Sequence, residues 1–287
     1  MRVLLLGAGG MLGQDLVATT PQEISLFPVT HAALDITDAE SVRACVKQCG
    51  PDVIINAAAY TAVDKAETEP QQAFTVNADA VGQLGRIAVA ARARVVHFST
   101  DYVFDGTSSR PYREDAEPQP LNQYGASKLA GERALQQSGA QYLIVRSQWL
   151  FGSTGRSFPK AMVERARRAL KTTVVTDQVG RPTFTPDLAA AVWTLLGLGA
   201  TGVLHVANSG TATWFEVADR IFSTLGVRSL LGGCTTAEYV TGTQRPLRSV
   251  LDTGAHELLT GRPLPHWEAG LAQFLKTTLR KVDQPGG

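Results

Sequence analysis

Short apolar runs alternate with longer amphipathic segments along most of the 287-residue chain. A short apolar run between turn residues predicts a buried strand, and apolar residues three and four apart predict a helix. The runs predict strands at 2–6, 24–30, 52–56, 93–98, 141–146 and 202–207. The amphipathic segments predict helices at 39–49, about 69–91, around residue 124, and at 158–170, 187–198 and 213–225.

This alternation is typical of an α/β protein whose parallel sheet is covered by helices on both faces. We therefore predict a doubly wound parallel sheet (Rossmann) over residues 1–150 and a smaller carboxyl-terminal α/β substrate-binding lobe. The lobe consists mainly of residues 151–287, with later segments returning to the first domain. Residues 283–287 have no apolar pattern, and we expect them to be unstructured.

Three glycines directly follow the first predicted strand. Gly7, Gly10 and Gly13 have the spacing G-x-x-G-x-x-G, a variant of the dinucleotide fingerprint G-x-G-x-x-G, since position 12 is Leu. Glycines permit unusual backbone angles and close approach of a ligand. The N–H groups that begin the next helix face a pyrophosphate in such turns. The turn therefore predicts a dinucleotide site.

The end of the second predicted strand bears on the choice of cofactor. An NAD-selective site has a ribose-binding carboxylate there, but this chain has Thr30 and His31. Asp35 follows later and is expected beside the adenine, while Thr37 or Asp38 caps the next helix. No arginine stands at the strand end to bind a 2′-phosphate. NADPH and NADH therefore both stay open as cofactors.

Tyr124 and Lys128 lie four residues apart, on one face of a predicted helix. A nearby cation favours the phenolate and moves the pKa of a tyrosine from about 10 toward the working pH. The pair predicts a tyrosine that exchanges a proton with a substrate oxygen.

Residues just beyond the strand ends are further candidates, because ligands of parallel α/β sheets lie outside the carboxyl ends of the strands. Small residues at 56–61 follow the third strand and let a ligand pass close to the backbone. Thr100 offers a hydroxyl after the fourth strand, and Trp149 offers an aromatic wall after the next.

Charge and composition narrow the function classes. A net charge of +1 favours neither nucleic acid nor a membrane surface as a partner. No apolar stretch approaches the roughly 20 residues that span a bilayer, and the chain begins with a strand. We therefore expect a cytoplasmic enzyme that binds neither nucleic acid nor membrane.

Seven segments beyond the glycine turn and the Tyr124/Lys128 pair share a family pattern. They are LDITD at 34–38, NAAAYTAVDKAE at 56–67, STDYVF at 99–104, RSQW at 146–149, DQVGRPT at 177–183, GTATW at 210–214 and RPLRSVLD at 245–252. In this order they resemble the dTDP-4-dehydrorhamnose reductase family of extended short-chain dehydrogenases. The resemblance covers most of the chain, and AVDKAE is more specific than the glycines or the Tyr/Lys pair.

The resemblance implies that NADPH or NADH reduces the C4 keto group of dTDP-4-dehydro-L-rhamnose to give dTDP-L-rhamnose. By position, the implied catalytic residues are Thr100, Tyr124 and Lys128, and Lys128 also binds the cofactor. The other implied cofactor contacts are Gly7, Gly10, Met11, Leu12, Gly13, Asp35, Ile36, Ala57, Ala58 and Ala59. The implied contacts of the dTDP-sugar are Thr100, Asp101, Trp149, Arg181 and Arg245.

Two other functions stay open. One is a non-catalytic NADP-binding regulatory subunit resembling the methionine adenosyltransferase β subunit, against which the intact Thr100, Tyr124 and Lys128 set argues. The other is an epimerase or reductase that acts on another nucleotide sugar. Arg248 departs from the family pattern, which has a small polar residue there, and this bears on the diphosphate contacts. We predict no metal site, and a homodimer is an open possibility.

Overall fold

The computed structural model describes residues 1–239 and 242–280, so the predicted unstructured tail at 283–287 lies outside the described residues. Its strands are β1 Arg2–Leu6, β2 Ser25–Val29, β3 Val53–Asn56, β4 Arg94–Thr100, β5 Tyr142–Ser147, β6 Leu150–Phe151, β7 Thr172–Val175, β8 Val179–Gly180, β9 Thr183–Phe184, β10 Gly202–His205, β11 Asn208–Ser209, β12 Ala212–Thr213, β13 Leu231–Cys234 and β14 Leu264–His266.

The helices follow the same alternation. They are α1 Met11–Ala18, α2 Ala39–Cys49, α3 Val63–Ala66, α4 Pro70–Phe74, α5 Ala80–Ala91, α6 Gln123–Gln137, α7 Phe158–Arg167, α8 Thr185–Gly197, α9 Trp214–Thr224, α10 Gly254–Thr260 and α11 Trp267–Arg280. Among the described residues, no helix has the length and apolar character needed to cross a bilayer.

Six parallel strands form the central sheet in the order β2-β1-β3-β4-β5-β10. Alternate side chains of a strand point to opposite faces, so a sheet covered on both faces needs strands that are apolar throughout. Val3 and Leu5 of β1 pack with α1 and α8, whereas Leu4 and Leu6 pack with α2, α5 and α6. This confirms the predicted doubly wound parallel sheet.

Residues beyond 150 contribute to two hydrophobic cores. Strand β10 pairs with β5, and α8 packs against α1, so both belong to the central sheet and its helices. A second core lies among α7, α9 and α11, around Phe151, Phe222 and Phe274, which are fully buried. Short strand pairs, such as β7 with β13, border this core.

The segment predicted as one helix at about 69–91 is helical but not uniform. A π-turn at Thr75–Asp79 separates α4 from α5. The π-turn holds the buried Asn77, whose amide donates to the Tyr60 carbonyl and to Ser127 Oγ, both at 3.0 Å. A residue inserted into a helix in this way often marks a functional region.

The helix predicted at 158–170 ends earlier, at Arg167. Ala169 has φ of 50°, in the left-handed region that stops a helix. The N–H of Leu170 then donates to the Arg165 carbonyl at 3.0 Å and closes the last turn. Sequence periodicity continues through this point, so it could not reveal the end of the helix.

Candidate functional site

The glycine turn lies between the ends of β1 and β3. Gly7 has φ of +81°, and a Cβ there would lie 2.5 Å from the Ala58 nitrogen. A Cβ on Gly13 would lie 2.2 Å from the Gly7 carbonyl oxygen. Both positions therefore exclude a side chain, because backbone approaches backbone on each side.

Helix α1 begins at this turn without a side-chain cap. Gly10 is the N-cap residue, no side chain of the described residues caps the first turn, and that turn holds no acidic residue. The N–H groups of the turn, with the positive end of the helix dipole, suit an anion such as a pyrophosphate. Met11, Leu12 and Gly13 form this first turn. These residues fit a dinucleotide cofactor.

The remaining predicted cofactor residues flank the turn. Ala57 and Ala58 follow β3, and Ala57 N–H donates to the Leu6 carbonyl at 2.9 Å. Ala59 is likewise half-buried beyond that strand. Beyond β2, the Asp35 carboxylate accepts from the Thr37 N–H and hydroxyl, while Ile36 is buried. As predicted, Asp38 caps α2 by accepting from the N–H groups of Glu40 and Ser41.

Thr100, Asp101 and Tyr124 lie together at the carboxyl end of β4. Thr100 Oγ1 donates to Asp101 Oδ1 at 3.1 Å and accepts from the Tyr102 N–H at 3.2 Å, and Thr100 lies close enough to Tyr124 to act on the pKa of its phenol. Asp101 Oδ2 accepts from Ser249 Oγ. Tyr102 packs edge-on against Tyr124, with ring centroids 5.8 Å apart. Ser249, Asp101 and Thr100 form a hydrogen-bonded chain that ends beside the phenol.

Burial and the negative charge of Asp101 raise the pKa of Tyr124 above its ordinary value, although Thr100 opposes the change. The sequence-based expectation had the opposite sign, since it took Lys128 to lower this pKa. A phenol with a raised pKa stays protonated at neutral pH.

Burial also raises the pKa of Asp101, to about 7, against hydrogen bonds from Ser249 and Thr100 that lower it. When an acid has a higher pKa in the folded state than in the unfolded state, the folded protein loses stability as pH rises from the unfolded-state pKa to the folded-state pKa. For Asp101 this window runs from the ordinary 3.8 to about 7. The slope from one such group reaches at most about 1.4 kcal/mol per pH unit.

We therefore expect the free energy of unfolding to fall less between pH 4 and pH 7 in Asp101→Asn than in wild type. The stability of the variant relative to wild type should then be higher at pH 8 than at pH 4. Urea denaturation at a series of pH values measures the effect. The variant Asp115→Asn, at an exposed carboxylate, is the control and should follow wild type. Parallel pH profiles for wild type and Asp101→Asn would contradict the assignment.

Lys128 faces the interior, where it contacts a histidine. Lys128 Nζ lies 3.3 Å from His97 Nε2, and His97 Nδ1 lies 3.3 Å from Asn56 Nδ2. Burial lowers the pKa of Lys128 to about 8, although Glu132 opposes the change, and burial lowers the pKa of His97 as well.

The three side chains couple the proton on Lys128 to the tautomer of His97. Asn56 Oδ1 accepts from the Ala58 N–H at 3.2 Å, so the Asn56 amide turns its N–H toward His97 Nδ1. A neutral Lys128 can accept from Nε2–H of His97 while Asn56 donates to Nδ1. A protonated Lys128 must instead donate to Nε2, which moves the histidine hydrogen to Nδ1 and ends the bond from Asn56.

Trp149 lies between β5 and β6 with φ of 51°. Its ring stacks on Trp214 of α9, with centroids 3.5 Å apart and an angle of 8° between the planes. Trp149 is half-buried, and its carbonyl accepts from the Thr183 N–H at 3.1 Å. The predicted aromatic wall is present at the strand end and has a second indole against it.

The predicted arginines have different surroundings. Arg181 donates to Thr253 Oγ1 at 3.2 Å, and Arg245 donates to Asp64 Oδ1 at 2.7 Å. Arg181 Nε and Arg248 Nε are buried and have no hydrogen-bond partner within residues 1–239 and 242–280. Buried donors of this kind suit an anionic ligand, because leaving them unpaired costs free energy.

Four residues of the site were not predicted from the sequence: Ser249, His97, Trp214 and Gln148. Ser249, Trp214 and Gln148 lie inside segments that carry the family pattern, so for these three residues the segments held the available signal. His97 lies on an apolar strand and Gln148 is 1% exposed, accepting from the Arg181 N–H at 3.0 Å. Their partners are distant in sequence, and periodicity gives no information on such contacts.

Comparison with known proteins identifies the family. The family model described as RmlD substrate binding domain matches residues 1–280. A dTDP-4-keto-6-deoxy-D-glucose reductase of Streptomyces niveus is 40% identical over 278 residues, covering 95% of this chain and 96% of that protein. The dTDP-4-dehydrorhamnose reductase of Escherichia coli (strain K12) is 36% identical over 290 residues, covering 96% and 97%.

Solved structures agree with this result. A crystal structure of dTDP-4-dehydrorhamnose reductase from Bacillus anthracis in complex with NADP superposes with a TM-score of 0.92 and 36% identity, covering 96% of this chain and 99% of that one. The match extends through both hydrophobic cores. The chain belongs to the dTDP-4-dehydrorhamnose reductase family.

Proposed function

We propose that this protein reduces the C4 keto group of dTDP-4-dehydro-L-rhamnose to give dTDP-L-rhamnose. NADPH or NADH supplies the hydride. The observation that carries the proposal is that Thr100, Asp101 and Tyr124 lie together at the sheet edge where the uncapped helix α1 begins, with burial raising the pKa of the Tyr124 phenol. Relatives that match nearly the whole chain carry this activity in their names.

Tyr124 donates its proton to the C4 oxygen as negative charge develops there, and the Thr100 hydroxyl, held by Asp101 in the free protein, turns to donate its hydrogen bond to the same oxygen. General acid catalysis of this kind contributes about 10² to 10⁴ in rate. Asp101 acts mainly through its hydrogen bond with Thr100, because it is 2% exposed and both of its oxygens already have partners.

Lys128 holds the ribose hydroxyls beside the nicotinamide. The first turn of α1 holds the pyrophosphate with the N–H groups of Met11, Leu12 and Gly13. Ala57, Ala58 and Ala59 line the cofactor after β3, and small side chains there allow close approach. Gly7, Gly10, Asp35 and Ile36 complete the cofactor contacts in this proposal.

Residues 151–287 mainly form the substrate-binding lobe in this proposal. Arg181 and Arg245 bind the diphosphate of the dTDP-sugar, and Trp149 borders the sugar. Arg181 Nε supports this role, because it is buried and has no hydrogen-bond partner in the described part of the chain. The fit between a guanidinium group and phosphate oxygens supports it as well. A cytoplasmic location and a homodimer belong to the same proposal.

A spectrophotometric assay of NADPH oxidation tests the function. We expect rapid oxidation with enzymatically generated dTDP-4-dehydro-L-rhamnose and formation of dTDP-L-rhamnose, and repeating the assay with NADH ranks the cofactors. Cofactor binding without oxidation of either nucleotide would overturn the proposal. That result would favour the non-catalytic regulatory subunit.

A second candidate substrate is dTDP-4-keto-6-deoxy-D-glucose. The Streptomyces niveus relative, which is 40% identical, carries the name of a reductase of that sugar. The assay should therefore include this sugar nucleotide. NADPH oxidation with this sugar nucleotide, and not with dTDP-4-dehydro-L-rhamnose, would support the reductase activity and change the proposed substrate.

A further inference from the structure

Trp149 has an unusual backbone conformation for a bulky residue. Within the described part of the chain, the non-glycine residues with positive φ are Arg92, Trp149 and Ala169. Arg92 caps α5 and Ala169 follows the end of α7, where left-handed residues are common. Trp149 instead lies between two strands. A strained conformation of this kind persists only where the surroundings hold it.

Protein covers both faces of the Trp149 indole. Trp214 lies on one face at a centroid distance of 3.5 Å. A Cβ on Gly180 would lie 2.5 Å from Trp149 Cε2 and 2.8 Å from both Cζ2 and Nε1. Since the ring-fusion carbon is nearest, Gly180 lies above the ring plane rather than beside its edge. Gly180 lies on the face opposite Trp214, because the stacked Trp214 ring leaves no room for a second group on the face that it covers.

The Trp214 ring is itself supported by the second core. Phe158 packs against the Trp214 ring with centroids 4.6 Å apart. Thr213, the N-cap residue of α9, forms a capping box with Glu216 directly beside Trp214. Gly180 belongs to β8, which pairs with β12 directly before α9. Gly180 and Trp214, which cover the two faces of the Trp149 ring, are thus connected to each other through the β8–β12 pair.

We propose that Trp214 and Gly180 position the indole of Trp149 so that its edge, and not its face, borders the sugar. The proposal rests on the proposed sugar-nucleotide reductase function. Ser147 pairs with Thr100 in the sheet, which puts Trp149 at the same strand edge as Thr100 and Tyr124. A stacking face tolerates many sugar rings, whereas a fixed edge contacts particular substituents. Trp214 is therefore a positioning residue that contributes to sugar specificity.

A double-mutant cycle tests whether Trp214 acts through Trp149. We expect Trp214→Ala to raise KM for the sugar nucleotide roughly two- to tenfold, the range that an aromatic pair contributes. kcat and the Kd of NADPH should change less. In a Trp149→Ala background, Trp214→Ala should have no further effect on KM. An equal effect in both backgrounds would overturn the proposal.

Gly180→Ala disturbs the indole from its other face. The added methyl meets the ring, so KM should rise as it does in Trp214→Ala. Gly232→Ala is the matched control, since Gly232 is a strand glycine of the same lobe with nothing within 4 Å of a Cβ. A KM unchanged by Gly180→Ala would contradict the proposed packing, and the control should retain the wild-type KM.

Proton NMR of tryptophan-labelled free protein tests the packing without any turnover. Ring currents of a stacked indole move the Trp149 ring protons upfield, and Trp214→Ala should remove this shift. Trp193→Phe, at a buried tryptophan that bonds to Thr19, should preserve it. If wild type reduces no sugar nucleotide, the proposed function fails, but the NMR spectrum of the free protein still decides whether Trp214 holds Trp149. Calorimetry with dTDP separately decides whether the protein binds the nucleotide. Absence of the upfield shift in wild type would overturn the proposal.

Discussion

Tyr124→Phe lowers kcat for NADPH-dependent reduction of dTDP-4-dehydro-L-rhamnose by about two to four powers of ten, with little change in the Kd of NADPH. Phenylalanine keeps the ring that packs against Tyr102 and removes only the hydroxyl. In the proposed mechanism that hydroxyl is the proton donor, and its raised pKa keeps it protonated at neutral pH. Initial rates at saturating sugar and a nicotinamide fluorescence titration measure the two quantities.

Tyr142→Phe is the matched control for this variant. Tyr142 is half-buried at the opposite, amino end of β5, where the same loss of a hydroxyl cannot reach the sugar. We expect its kcat to equal that of wild type. A Tyr124→Phe enzyme with wild-type kcat would show that another group supplies the proton.

Arg146→Met lowers the free energy of unfolding by about 3–5 kcal/mol, because it leaves the buried Glu132 carboxylate without its counter-ion. Arg146 Nε and Nη2 donate to the two oxygens of Glu132 at 2.9 and 2.6 Å, and the side chains are 5% and 2% exposed. The pair joins β5 to α6, the helix that carries Tyr124 and Lys128. Chemical denaturation at neutral pH measures the loss.

Two further variants identify the cause of that loss. In Arg146→Met with Glu132→Leu neither charge of the pair remains, and replacing a whole buried pair is often neutral or stabilising, so much of the stability should return. Arg43→Met removes an exposed arginine, which is 57% exposed and paired with Glu40, and should change stability by less than about 1 kcal/mol. A loss in Arg146→Met no larger than in Arg43→Met would contradict the assignment.

Local sequence signals predicted most elements because their causes are local. The β1 strand is apolar from Val3 to Leu6 because helices cover both faces of the sheet, and four consecutive residues of the sequence show that property. The cap of α2 at Asp38 follows in the same way from a side chain that reaches its own next turn. The π-turn at Thr75–Asp79 could not be predicted, since its Asn77 bonds to Tyr60 and Ser127 of other segments. The end of α7 could not be predicted either, because the left-handed conformation of Ala169 leaves no mark in the apolar periodicity.

The sequence by itself determined the central α/β sheet, the glycine turn, and the presence of Thr100, Tyr124 and Lys128 at strand ends or on one helix. It could not determine their environments. Asp101 meets Ser249 across 148 residues, and Lys128 meets His97 rather than Tyr124.

Only the tertiary structure decided the sign of the Tyr124 pKa shift, because burial and the Asp101 charge act through space rather than along the chain. It likewise decided which surface of Trp149 stays open, since Gly180 and Trp214 come from distant segments. The hydrophobic periodicity of a segment predicts which side of a helix or strand is buried. Contacts between elements, and the charges they desolvate, exist only once the chain has folded.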